Sequence, residues 1–310
     1  MKTIWMLLLT LSFAPYAAGQ LKAPRTGDAQ KTPAPAERKS PAPASTGRFR
    51  VTINGFIAYQ QTWDDALQRD GKDDEVFLLS ETRMINRVHD VLQLTTLPQA
   101  RSNQFGDVQG FETRRNRAGS ASDMGGIRSG DRVPVDMPWA RHREPGRNAL
   151  PFIIWEGELT KDLTSAMIVP TIWEWDGGDT PLAFLLRTLV DGWAAGVNPA
   201  RGMPAIPVGR LGEKFLKRLS EMQLGRDVVG TNVSYDASVI GQGGDRPIGM
   251  WYSNGKYRFD PWVLYLTYER AIEASQTDYG RGPGVIEVVY EDAADLRGRY
   301  TLFVQIEKMP

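Results

Sequence analysis

The sequence predicts a mainly β protein: an antiparallel β-sandwich, C2-like or jelly-roll-like in general architecture, with a two-helix insertion around residues 180–224. Three observations predict it. Many short segments alternate apolar and polar residues or are apolar on both faces, turns rich in Asp, Asn and Gly separate them, and only two stretches show helical periodicity. Strands and helices do not alternate regularly, which argues against a doubly wound α/β sheet.

The chain opens on Lys2 and an apolar run at residues 4–13, followed by small residues at Ala17, Ala18 and Gly19. A basic start, a short greasy centre and a small-residue cleavage site make residues 1–19 a secretory signal peptide. The run falls short of the roughly 20 apolar residues that a membrane helix needs. The expected location is therefore secreted or periplasmic, with no transmembrane segment. Residues 20–47 repeat Pro-Ala pairs among Lys, Arg, Ser and Thr. Such a segment buries too little to offset its ordering entropy, and its prolines favour extended polyproline II, so it reads as a disordered tether. Residues 48–310 then form a single β-rich domain.

Within that domain Phe49, Val51 and Ile53 alternate with Arg50, Thr52 and Asn54 up to Gly55, the pattern of a half-buried strand. Residues 70–74 are turn chemistry, and residues 75–80 after them a strand. Further strands are expected at 152–159, 166–175, 262–268, 285–290 and 300–307. Residues 251–257 read as a hairpin that turns at Asn254-Gly255, a pair that tolerates positive φ. The first helix is expected between Thr180, a capping residue, and Gly192, with Leu182, Leu185, Leu186 and Leu189 on one face. The second spans about 212–224, with Phe215, Leu216, Leu219 and Met222 as its stripe. Residues 98–148, rich in Gly and Arg, fit neither period. A structureless loop of that length is uncommon inside a domain, so short strands or turns are expected there. Val133-Pro134-Val135 and Met137-Pro138-Trp139 are placed to anchor its far end.

Composition narrows the chemistry. With no cysteine, a thiol nucleophile, a disulfide framework and a thiolate metal site are excluded. Thirty-seven basic against 37 acidic residues argue against a general nucleic-acid binder. His89 and His142 are the only histidines and lie far apart in sequence, too few for a His-based zinc site, and no Gly-x-Ser-x-Gly occurs.

Three groups of residues remain as candidates. Asp70, Asp73, Asp74, Asp176, Asp179 and Asp245 sit in acidic, glycine-rich turns, and Ca²⁺ takes six to eight oxygens from such loops. The competing reading is that Asp and Gly simply make turns. Glu156 with Glu158, and Glu174 with Asp176, each lie two apart on a strand beside tryptophans. Paired carboxylates next to aromatic rings suit a glycosidase, although alternating acidic and apolar residues also describe any strand with one wet face. The third group is the arginines of 98–148, among them Arg114, Arg115, Arg117, Arg128, Arg132, Arg141, Arg143 and Arg147, whose forks match carboxylate and phosphate. The function these features favour is an exported, non-enzymatic binding or surface-associated module, with calcium in its acidic loops and a cell-surface polymer or protein as partner. The alternative is a carboxylate-based glycoside hydrolase acting on a polysaccharide.

Overall fold

Two largely antiparallel sheets pack face to face as a sandwich, so the chain is mainly β, as its patterning predicts. The computed structural model describes residues 44–63, 73–175, 205–207, 210–227, 234–236 and 245–310, all within one compact unit, Pro43–Pro310. The signal segment, most of the tether, the first expected helix and Asp70, Asp176 and Asp179 lie outside the described residues.

The principal elements are β1 (Thr46–Gln60), β2 (Val76–Val88), β3 (Val91–Thr96), β4 (Phe152–Thr160), β5 (Thr164–Glu174), α1 (Arg210–Glu221), β6 (Met250–Ser253), β7 (Lys256–Phe259), β8 (Leu264–Thr267), α2 (Tyr268–Gln276), β9 (Val285–Glu291) and β10 (Arg299–Lys308). The first sheet runs β9-β10-β1, and the far edge of β1 is shared. There β4 pairs from Thr46↔Thr160 to Ile53↔Phe152, and the short strand Arg132–Val133 pairs with Phe56 and Ile57. The second sheet centres on β2, which β5 flanks along one edge. The other edge is filled in turn by β3, Ala100–Arg101 and Gln104–Gly106, and Arg115–Arg117 adds in parallel to Gln104–Gly106. β8 and Arg246–Pro247 pair with the free edge of β5, while β6 and β7 form a small third sheet with Ser234–Asp236. The turn between β6 and β7 holds Asn254 and Gly255 at φ of 53° and 76°, the geometry this dipeptide favours.

β1 is buried on both faces from Val51 to Ala58, as a central strand requires. On the inner face Phe56 meets Phe105 at 5.9 Å, joining the two sheets. On the outer face Ile57 and Phe303 are covered by Trp139, whose ring lies 5.7 Å from that of Phe303. The segment around residues 133–139 thus lies across β1, and Gly55 lets it approach. A Cβ at Gly55 would stand 2.3 Å from the Val133 carbonyl oxygen and 2.5 Å from that of Pro138. β1 is also bulged here, because its pairing with β10 passes from Ile53↔Val304 to Gly55↔Phe303. The bulge takes Asn54 out of the ladder, and its amide donates to the Trp139 carbonyl and to Gln305 Oε1, both at 2.9 Å.

Three elements differ from expectation, the first being β1, read as a half-buried strand up to Gly55 but running to Gln60 with both faces buried from Val51 to Ala58. The strand expected at 75–80 continues to Val88 and turns back through His89-Asp90 into β3, which pattern reading left without a strand. The strand expected at 262–268 stops at Thr267, and α2 begins. The Thr267 hydroxyl accepts from the Arg270 N–H as an N-cap, and the small residues Ala271 and Ala274 seat the helix on the core. That cap and face outweigh the strand preference of the aromatic and β-branched residues before them. α1 begins at Arg210 and buries Phe215 and Leu219, and Met222, just past its end, is buried as well.

Candidate binding site

The Arg- and Gly-rich stretch builds a cavity of about 530 Å³ against the bulged middle of β1. Each wall follows from a local feature. The bulge supplies Asn54, Gln104–Gly106 supplies Phe105, and Arg115–Arg117 supplies Arg115, Asn116 and Arg117. The segment that crosses Gly55 supplies Val133 and Pro134, and the return to β4 supplies His142, Arg143, Leu150 and Pro151. Phe105, Val133, Leu150 and Pro151 are buried, whereas Arg117, His142 and Arg143 are exposed. Among the described residues no carboxylate lines this cavity.

The three arginines are held differently. The side chain of Arg115 is only 4% exposed and lies between the rings of Phe111 and Trp175, 4.2 Å from each centroid. Its Nε donates to Gln104 Oε1 at 3.0 Å, its Nη1 donates to the Asp107 carbonyl at 2.7 Å, and Glu75 Oε1 lies 3.2 Å away. Arg143 uses its Nε to donate to the Leu150 carbonyl. Neither Arg117 nor Arg143 makes an ion pair among the described residues. His142 Nε2 donates to the Met137 carbonyl at 3.0 Å, which orients its ring at the cavity.

A second polar cluster is closed on itself in the core. Asp74, Glu174, Arg246, Asp292, Thr62 and Tyr300 are all buried. Arg246 Nε meets Glu174 Oε2 at 2.6 Å and its Nη1 meets Asp292 Oδ2 at 2.9 Å. Asp292 Oδ1 accepts from the Gly249 and Met250 N–H groups. Asp74 Oδ2 accepts from Tyr300 and from the Thr62 N–H. The Thr62 hydroxyl has one hydrogen yet stands against both Asp74 Oδ1 and Glu174 Oε1. A proton on Asp74 resolves this: Asp74 donates to Thr62, which donates to Glu174. Burial, and then the Glu174 charge, push the Asp74 carboxyl up to about 8, against the hydrogen bonds that favour its anion. Burial and the neighbouring Asp74 likewise hold the Tyr300 phenol well above its ordinary range.

The sequence-predicted site residues fall as follows. Asp74 and Glu174 meet in the buried cluster, and Asp73 pairs with Arg128 at 2.8 Å while accepting from Gln61. Asp245 is buried with Arg101 at 3.5 Å. Among the described residues no three His, Asp or Glu side chains gather as a metal site; Asp70, Asp176 and Asp179 lie outside them. Glu156 accepts from Arg50 and then from Arg48, which hold its carboxyl below the usual range, and Glu158 is exposed. Sequence reading does not anticipate Thr62, Arg246, Asp292 and Tyr300 as partners, because they come from four separate segments and carry no spacing signal. It does single out Arg115, Arg117 and Arg143, but as members of a span rather than as lining of one cavity.

Fold and site together define a mainly β sandwich with a cation-lined, half-apolar cavity beside its central strand. No protein-family model matches the chain, and no curated protein or solved structure matches it either.

Proposed function

We propose that this protein is an exported, non-enzymatic binding module that captures an anionic ligand in the arginine-lined cavity. One observation carries the reading: Arg117 and Arg143 line a cavity whose described lining holds no carboxylate, and neither has an ion-pair partner among the described residues. Some exposed arginines elsewhere are answered, Arg48 by Glu156, Arg128 by Asp73, Arg141 by Glu307 and Arg281 by Glu287. Others, such as Arg87, Arg114, Arg132 and Arg147, are exposed without an ion pair among the described residues; Arg117 and Arg143 differ from these in lining the cavity. A guanidinium fork with free donors fits carboxylate or phosphate oxygens. The signal-like N-terminus supports export, and among the described residues no helix is long and apolar enough to cross a membrane.

The test is an NMR titration of the ¹⁵N-labelled mature protein, following arginine side-chain resonances as sodium phosphate or sodium octanoate is added. Saturable shifts at Arg117 and Arg143 are expected with at least one anion, with Arg246 unmoved and the response weakened by added salt. Shifts no larger than those caused by sodium chloride, with both anions, end this reading.

A further inference from the structure

Burial and charge are graded along the cavity, and the gradient bears on what enters it. Most of its buried lining is apolar, Phe105, Val133, Leu150 and Pro151, with Asn54 and Arg115 as the buried polar residues and the Asn54 amide already donating to the Trp139 carbonyl and Gln305. The buried cation of the described lining, Arg115, already has Glu75, Gln104 and the Asp107 carbonyl as partners. An anionic group brought to that depth would lose its water and meet a guanidinium that is largely neutralised. Arg117 and Arg143, by contrast, are exposed, and they are the lining arginines without ion-pair partners among the described residues. A strongly hydrated anion such as inorganic phosphate would reach them but leave the apolar walls facing water. A neutral apolar molecule would cover the walls and leave the arginines unused.

We propose that the cavity takes an amphiphilic organic anion, its apolar body lodged against Phe105, Val133, Leu150 and Pro151 and its anionic group held by Arg117 and Arg143. This rests on the reading that the cavity binds anions. A volume of about 530 Å³ falls within the roughly 300–1,000 Å³ of ordinary small-molecule sites, enough for a ring or a short acyl chain. The shared chemistry is a carboxylate on an apolar body, whether chain-borne or ring-borne.

The experiment is calorimetric titration of the mature full-length domain with butanoate, hexanoate, octanoate, benzoate, glucuronate and inorganic phosphate. Each methylene buried is expected to tighten binding about threefold to fourfold until the cavity is full. Octanoate or benzoate should therefore bind at least about tenfold more tightly than glucuronate or phosphate. Whether octanoate or benzoate leads tells chain-borne from ring-borne ligands, and either supports the proposal. The double variant R117A/R143A, checked for an unchanged melting temperature, should lose at least about tenfold for octanoate, with the charge-conserving R117K/R143K recovering part of it. Equal or tighter binding of phosphate or glucuronate, still dependent on the two arginines, overturns the amphiphile and leaves the anion site standing. Binding by none of the six, or binding indifferent to the arginines, overturns both.

Discussion

The buried cluster around Arg246 and the cavity around Arg117 and Arg143 use the same guanidinium chemistry to opposite ends. In the cluster, donors and acceptors answer one another: Arg246 bridges Glu174 and Asp292, backbone N–H groups fill Asp292, and a proton on Asp74 completes the chain through Thr62. In the cavity the inner arginine is answered by Glu75 while the two outer ones are not. Closed charge ties distant segments into one fold, and open charge leaves binding capacity. The difference comes from partners, since the residue types are the same.

The largest effect should come from opening the closed side. Replacing Arg246 by Met leaves Glu174 and Asp292 buried without their counter-charge, an expected loss of about 3–5 kcal/mol in urea unfolding. A loss below about 1 kcal/mol would show that the cluster does not close as described.

A smaller effect concerns its proton. The folded chain holds the Asp74 proton to about pH 8, whereas an ordinary aspartate releases it near 3.8. Between those values the folded state binds more protons than the unfolded state, so this group's contribution is full below the lower value, falls as pH rises and is gone above the upper one. Asp74→Asn keeps the donation to Thr62 and removes the titration. Denaturation midpoints at pH 5 and pH 8.5 should therefore differ less in the variant than in the parent, and an equal difference would remove the proton from Asp74.

The smallest effects belong to the open side. Arg117→Ala should change stability by no more than about 0.5 kcal/mol, and Arg143→Ala by no more than about 1 kcal/mol for its bond to the Leu150 carbonyl. A loss of about 2 kcal/mol at either would make it a structural residue and erase the contrast.

Much of the frame was legible beforehand. Alternation in β1 and β10, apolar runs in β5 and the Asn254-Gly255 turn follow local rules that need no partner to be known. α2 was missed because a cap and two alanines are weak signals beside a run of strand formers. The cavity was half legible: the arginines were visible, but their convergence was not. It depends on Gly55 admitting the carbonyls of Val133 and Pro138, and on a one-residue bulge that turns Asn54 inward.

Periodicity, turn residues and the absence of cysteine determined from the sequence alone that this is a β protein held together by packing, since each acts over a few residues. Which arginines are neutralised and which stay open was decided only by the tertiary structure. Glu75 reaches Arg115, and Glu174 reaches Arg246, across chain separations that no local pattern encodes, and no acid among the described residues pairs with Arg117 or Arg143.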